Sequence, residues 1–413
     1  MVNVVSFNGG RGAKNLIPAL ANIDGINLTS IVNAYDDGKS TGTIRAFFRM
    51  LGPSDIRKVQ EAMVPQELTD YNAIMRAYDY RYPASETRET IMSGLNAFGT
   101  GSTDELCGIQ FQDKTIQESL RVFIQCLLRG IRLIERAEAK VFSFHDCSLM
   151  NLIYAGAYLH FGHNFEDATI FIDKLFKLKG TVLPTSNEDR KLVAIREDGT
   201  ILYSEAEIVE LRANSRIKRI YLLDQYPDKQ LLSEMSMEEV EEYFDMAHRL
   251  VGTTARVVQS ISDADIIIYS PGTQHSSLYP SYMTLGITDA IAANKKALKV
   301  FITNIGEDYE TPSYDANDFI EGAIRYMRMG SEYDIAVKDL IDFALVNNKF
   351  STNLENYVKY DEAQLDTIGC PVIIDAFEDT SSPGKHNGGL LSKFIMDLYQ
   401  QRMNIGTRKA ALV

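Results

Sequence analysis

Three turns rich in glycine, hydroxyl and carboxylate groups hold the residues of this sequence best suited to chemistry on a phosphate. The first, Gly9-Gly10-Arg11-Gly12, follows an apolar run and precedes an apolar-periodic segment. Glycines at such a junction let main-chain amides approach an anion, and the positive end of the following helix adds to the attraction. Arg11 and Lys14 could bring side-chain charge to the same anion. The spacing matches neither the dinucleotide fingerprint nor a Walker A loop, so a tight strand-to-helix turn without a ligand is the competing reading. The second turn runs Asn33-Ala34-Tyr35-Asp36-Asp37-Gly38-Lys39-Ser40-Thr41-Gly42. Adjacent carboxylates repel unless a cation or hydrogen bonds offset them, and magnesium shared with substrate phosphates needs only one or two protein carboxylates. Asp36 and Asp37 are therefore candidate metal ligands and catalytic groups, with Asn33, Gly38, Ser40 and Thr41 as candidate ligand contacts. An Asp-Gly turn whose acids cap nearby amides is the alternative.

The third turn, Ser270-Pro271-Gly272-Thr273-Gln274-His275-Ser276-Ser277, leaves a strongly apolar strand and is crowded with small donors. Pro271, Gly272, Thr273, Ser276 and Ser277 are candidate phosphate contacts, since hydroxyls and amides at a strand's carboxyl end suit that task. His275 is a candidate to bind or shuttle a proton, although a lone histidine in a polar loop more often does neither. Asn304, after the next strand, and Glu307 to Thr311 beyond it would lie along the same rim if the strands are parallel. Arg57 is a candidate to stabilise phosphoryl charge, or else a partner in a structural ion pair. It belongs to Gly52-Pro53-Ser54-Asp55-Ile56-Arg57, which reads as a helix start capped by Ser54. His160 and His163 lack a completing ligand set.

These turns need strands and helices to position them. Val2 to Phe7 reads as a strand, Ala13 to Ile23 as a helix in which Pro18 either kinks the chain or marks the true first turn. Leu28 to Asn33 is a second strand, with a loop over 36–42 and helices through Phe48 and over 55–63. Residues 66–139 read as a mostly helical insertion or cap, followed by a strand from Lys140 to Phe144 and helices over 149–159 and 165–177. Glu197-Asp198-Gly199-Thr200 signals a hairpin, Ile217 to Leu223 a strand, and the stretch within 229–252 a helical addition. Asp265–Tyr269, Leu298–Thr303 and Pro371–Asp375 read as strands alternating with helices over 284–293, 316–329 and 390–401. The fold class is thus α/β, a doubly wound, largely parallel Rossmann-like sheet with a helical insertion. Its core spans 1–65 and 140–402, and 403–413 is a frayed tail.

The bulk composition narrows the partners. The chain has 413 residues with 56 acidic against 42 basic, a formal charge of -14, which as a whole repels nucleic acid and anionic membrane. Four scattered cysteines suggest neither a zinc site nor a disulfide framework. With no leader pattern and no uncharged span of membrane length, the expected location is cytoplasmic. A phosphorylated small molecule is the expected partner, and a homodimer rests on symmetry base rates alone.

Taken in order, the motifs NGGRGAK from Asn8, NAYDDGKSTG from Asn33, GPSDIRK from Gly52, GTVLPTS from Gly180, DADIIIYSPGTQHSSLYPS from Asp263 and VFITNIGEDYET from Val300 resemble one family. That family contains 2-phospho-L-lactate transferase and the gluconeogenesis-factor, or nucleotide-sugar-binding, proteins. The resemblance implies a nucleotide-diphosphate pocket in a doubly wound sheet. In one branch it implies magnesium-dependent transfer of a phospholactyl group from a guanosine diphosphate donor to a deazaflavin hydroxyl. In the other it implies binding of uridine diphosphate sugars and influence on carbon flow or cell-wall synthesis, the branch to which Tyr314 and Asp318 look closer. Arg11 departs from the small residue usual after the first two glycines, and Lys39 from the glycine of the binding-protein branch. Residues 66–140 and 229–252 look enlarged.

Overall fold

The structure, a computed structural model, describes residues 1–10, 12–352 and 357–410. Its described strands are β1 (Val2–Asn8), β2 (Ile26–Val32), β3 (Glu105–Leu106), β4 (Ile109–Gln110), β5 (Thr181–Pro184), β6 (Lys191–Arg196), β7 (Ile201–Leu202), β8 (Ile217–Leu223), β9 (Ile266–Tyr269), β10 (Leu298–Ile302), β11 (Phe343–Asn347) and β12 (Val372–Asp375). Seven of them form one sheet in the order β12-β11-β10-β9-β1-β2-β5, and every pairing in it is parallel. Parallel strands need crossovers that cover both faces, so such strands read as continuous apolar runs. Ile266, Ile267, Ile268 and Tyr269 of β9 are accordingly fully buried.

The chain leaves β1 toward β2 and β5, then returns to the other side of β1 with β9. Strand order therefore reverses at β1, and the crevice outside the carboxyl ends at such a switch point is where open α/β sheets bind ligands. Phe7 pairs with both Ile31 and Tyr269, so β1, β2 and β9 end level with one another. The turns that follow them must emerge side by side.

Several expectations need correcting. Lys140 to Phe144 is not a strand. Its alternating Phe142 and Phe144 pack edge-to-face with each other and Phe142 against Phe47, both at 4.9 Å between ring centroids, anchoring a connecting segment rather than joining a ladder. Strands β5 and β11 were not anticipated. Helix Lys39–Phe48 begins inside the expected loop, and helix Ser54–Glu61 starts at Ser54, with Pro53 in the capping position. Pro18 occupies the first turn of helix Leu16–Ala21, where its missing N–H costs nothing. The last helix spans Gly388–Ala410, running through most of the expected tail, and 411–413 lie outside the described residues.

Residues between 66 and 139 form helices Tyr71–Asp79, Arg88–Gly99 and Lys114–Glu138 plus the β3–β4 hairpin. Their buried side chains, Ile74, Leu95 and Leu120 among them, are continuous with the core of the main sheet. A smaller cluster, Val193, Ile195, Tyr221, Leu223, Leu232, Val240 and Phe244, joins the antiparallel β7-β6-β8 sheet to helices Lys229–Ser233 and Met237–Ala247.

Candidate functional site at the sheet switch point

The first and third turns touch through their backbones. A Cβ placed on Gly12 would lie 2.1 Å from the Pro271 carbonyl oxygen and 2.3 Å from the Gly272 Cα, so only glycine permits this approach. Asn304, on the loop after β10, fixes the far side of the same contact. Its Oδ1 accepts from the Gly272 N–H at 2.8 Å and its Nδ2 donates to the Gly272 carbonyl at 3.0 Å. The third turn is more ordered than a loop. Residues Gln274–Leu278 form a single wide turn in which the Leu278 N–H donates to the Thr273 carbonyl at 3.2 Å, a π geometry frequent at functional sites.

The second turn joins through side chains. Asn33 Nδ2 donates to the Ser276 carbonyl at 2.8 Å. Asp55, in the first turn of helix Ser54–Glu61, links the first and third: Ser277 Oγ donates to it at 3.3 Å and the Gly10 amide lies against it, while Lys58 Nζ of its own helix donates at 2.9 Å. Burial opposes its charge, but Lys58 and these donors outweigh that and hold the carboxyl below its usual range. Ser277 Oγ also lies 2.8 Å from Thr273 Oγ1, beneath Gly9, where a Cβ would meet Ser277 at 2.8 Å.

Above these contacts opens a cleft of about 900 Å³. Its polar lining includes Gly10, Gly12, Lys14, Lys58, Glu61, Gln66, Thr273, Asn304, Asp308, Lys385 and His386, with Pro271 and Gly272 beside them. Leu16, Pro18, Ala62, Val64, Tyr71 and Met75 add apolar surface. Arg11 lies outside the described residues. The structure thus brings Gly10, Gly12, Lys14, Pro271, Gly272, Thr273 and Asn304 to one cavity, which residues of the first and third turns line and those of the second do not.

Gly9, Asn33, Asp36, Asp37, Gly38, Ser40, Thr41, Arg57, His275, Ser276 and Ser277 do not line that cleft. Asp36 Oδ1 accepts from the Gly38 N–H at 3.1 Å, while Asp37 accepts from the Ala206 N–H at 2.8 Å and from the Tyr226 hydroxyl. Ser40 and Thr41 take Asn151 Nδ2 at 3.3 and 3.2 Å. Arg57 is buried and donates to the Tyr78 carbonyl at 3.1 Å, tying its helix to helix Tyr71–Asp79. His275 is enclosed by Tyr279, Tyr314 and Tyr326, and burial drives its pKa down to about 3, so the ring stays neutral.

Among the described residues no group of three or more His, Cys, Asp or Glu side chains could hold a metal ion. Glu205 accepts from the Asp37 N–H at 3.2 Å. Burial first, then Asp36, Asp55 and Asp37, push its carboxyl well above its usual range.

Lys58, Lys385, His386, Tyr71 and Met75 were not singled out from the sequence, and Asp55 and Asp308 entered it only within the helix start Gly52 to Arg57 and the rim segment Glu307 to Thr311. For Asp55 and Lys58 a signal existed: three residues apart on a helix, they share a face that Arg57 does not. Lys385 and His386 arrive through the long loop after β12, whose His386 carbonyl accepts from Asn15 at 3.0 Å, and no local motif announces that.

Fold and cavity define a Rossmann-like α/β protein with a cleft at its topological switch point. The family model for 2-phospho-L-lactate transferase CofD matches residues 4–378, and the chain belongs to that family. Curated relatives include the gluconeogenesis factor of Halalkalibacterium halodurans, 24% identical over 96% of this chain and 96% of that protein. The gluconeogenesis factor of Bacillus subtilis is also 24% identical, over 96% and 98% respectively. A crystal structure of a Bacillus halodurans protein superposes with a TM-score of 0.65 at 22% identity, covering 96% of this chain and 99% of that one, a likeness of fold.

Proposed function

We propose that the protein moves a phosphorus-containing group from a nucleoside diphosphate-linked donor to a hydroxyl acceptor. The observation that carries this reading is the meeting of Gly10, Gly12, Lys14, Lys58, Thr273 and Asn304 on one cavity of about 900 Å³. Amides of the first turn and the Thr273 hydroxyl receive phosphate oxygens, while Lys14, Lys58 and Lys385 offset their charge. The apolar surface with Tyr71 and Met75 receives the flatter, less polar portion of a ligand. Asp308, whose carboxyl burial holds above its ordinary range, faces the cleft and takes the proton of the attacking hydroxyl. Asp36 and Asp37 do not line the cleft, so they do not fit a magnesium ion held there by the ligand's phosphates.

Calorimetry with guanosine and uridine diphosphates and their sugar conjugates, followed by phosphorus NMR of the bound donors, tests this. Binding with donor breakdown supports transfer. Absence of binding across the panel contradicts it. The relatives named gluconeogenesis factors, which match nearly end to end, favour a second reading: a non-catalytic nucleotide-sugar-binding regulator of carbon or cell-envelope metabolism. Tight binding with the donor left intact is its signature.

A further inference from the structure

The wide turn Gln274–Leu278 leaves its leading amides without partners in its own ring, as any helical start does. Glu310, on the loop after β10, supplies the missing acceptors. Its Oε2 accepts from the Ser276 N–H at 2.9 Å and its Oε1 from the Ser276 hydroxyl at 2.5 Å, with the His275 amide also directed at the carboxyl. Glu310 is itself held: its N–H donates to Asp308 Oδ1 at 2.9 Å, which also takes the Thr311 hydroxyl at 3.1 Å. The same loop carries Asn304, clamped on Gly272. One segment therefore grips the third turn on both sides of Thr273, the hydroxyl residue facing the cleft.

This arrangement is expensive. Glu310 is 2% exposed. Among the described residues no Lys, Arg or His forms an ion pair with it. Burial, then Asp308, raises its pKa to about 8. A buried carboxyl without a cationic partner is poorly explained by stability alone, since replacing buried polar partners by apolar groups of the same shape is often nearly neutral or better. What it provides is an acceptor that meets two diverging donors of one residue.

We propose that Glu310 is a positioning residue that sets the conformation of the Pro271–Leu278 turn and, through it, the placement of Thr273 at the ligand cleft. This rests on the reading that the cleft binds a phosphorylated ligand. It assigns Glu310 no contact with that ligand.

The test compares wild type, Glu310→Gln, Glu310→Ala and Ser276→Ala in two measurements. Hydrogen exchange of residues 272–278 without ligand reports the turn directly, and calorimetry with guanosine and uridine diphosphates reports its consequence. Glu310→Ala is expected to speed exchange at Ser276 and to raise the dissociation constant, each about tenfold, the scale of losing a buried hydrogen-bond acceptor. Glu310→Gln, whose amide can accept from the Ser276 N–H and donate to its hydroxyl, is expected to stay within about threefold of wild type in both. Ser276→Ala removes the hydroxyl donor to Oε1, keeps the N–H donor to Oε2, and should show an intermediate loss. Wild-type exchange in Glu310→Ala, or no rescue by Glu310→Gln, would overturn the proposal. If wild type binds neither nucleotide yet exchange responds as described, the ligand reading falls and the positioning role stands.

Discussion

Gly12 shows how much a single residue can carry at this site. Its hydrogen atom fills the space that a methyl group would need, 2.1 Å from the Pro271 carbonyl oxygen, and backbone rather than a pliable side chain stands on the other side. Gly12→Ala should therefore separate the first and third turns and weaken nucleoside diphosphate binding by at least about tenfold, roughly 1.4 kcal/mol, as read by calorimetry. Lys14 and Lys385 act differently. Both line the cleft and neither forms an ion pair among the described residues, so their contribution is charge. Lys14→Ala and Lys385→Ala should each weaken nucleotide binding by about three- to tenfold and flatten its dependence on salt. At this scale the sequence was legible where chemistry and glycine spacing coincide, as in Gly10, Gly12, Thr273 and Asn304. Arg57 and His275, whose residue types suggest catalysis, stand instead against the Tyr78 carbonyl and within an aromatic enclosure, outside the cleft. Nothing in a one-dimensional pattern reveals which way a buried side chain turns.

Among the elements, helix Ser54–Glu61 presents Lys58 and Glu61 to the cleft and rests on a buried polar network behind. Gln60 Nε2 donates to Asp173 Oδ1 at 2.6 Å, the Val182 N–H of β5 donates to Asp173 Oδ2 at 2.7 Å, and Tyr154 donates to Gln60 Oε1 at 2.5 Å. Burial pushes the Asp173 carboxyl up to about 7, the two donors only partly opposing it. In an unfolded chain the same group titrates near its ordinary value of about 3.9. Between those values the folded protein holds a proton that the unfolded chain lacks, so this group's contribution to stability is full below about pH 4 and lost as pH rises through about 7. Asp173→Asn cannot ionise. Urea unfolding at pH 5 and pH 8 should show the variant gaining on wild type as pH rises, whereas parallel behaviour would contradict the assignment.

Elements were readable where length and burial agreed. Ile217–Leu223 and Ala316–Met329 stand where their apolar patterns put them, because each has one face to bury and enough residues to show a period. The short β5 and β11 carry no such statistics, and Phe142 and Phe144 imitate a strand while serving as anchors.

On the scale of the whole molecule, the sheet order explains why residues far apart in sequence share a cavity. Reversal at β1 sets the ends of β2, β1, β9 and β10 in a row, and the loop after β12 folds back over them. The helical insertion contributes Tyr71 and Met75 to the lining, so the cleft is a joint product of the sheet and the segment threaded between β2 and β5. Tyr71→Ala should weaken a nucleotide or its sugar conjugate by about fivefold while leaving inorganic pyrophosphate unaffected, because only the larger ligands reach that apolar surface. The parallel architecture was legible from alternating apolar strands and helices. The insertion's share in the cleft was not, since its residues carry no phosphate-binding signature.

A crystal structure with uridine or guanosine diphosphate diffused into the lattice tests the central claim most directly. The account predicts the diphosphate between the amides of Gly10 and Gly12 and the Thr273 hydroxyl, with Lys14 or Lys58 within hydrogen-bond reach. A diphosphate bound elsewhere on the protein, with these turns untouched, would contradict it.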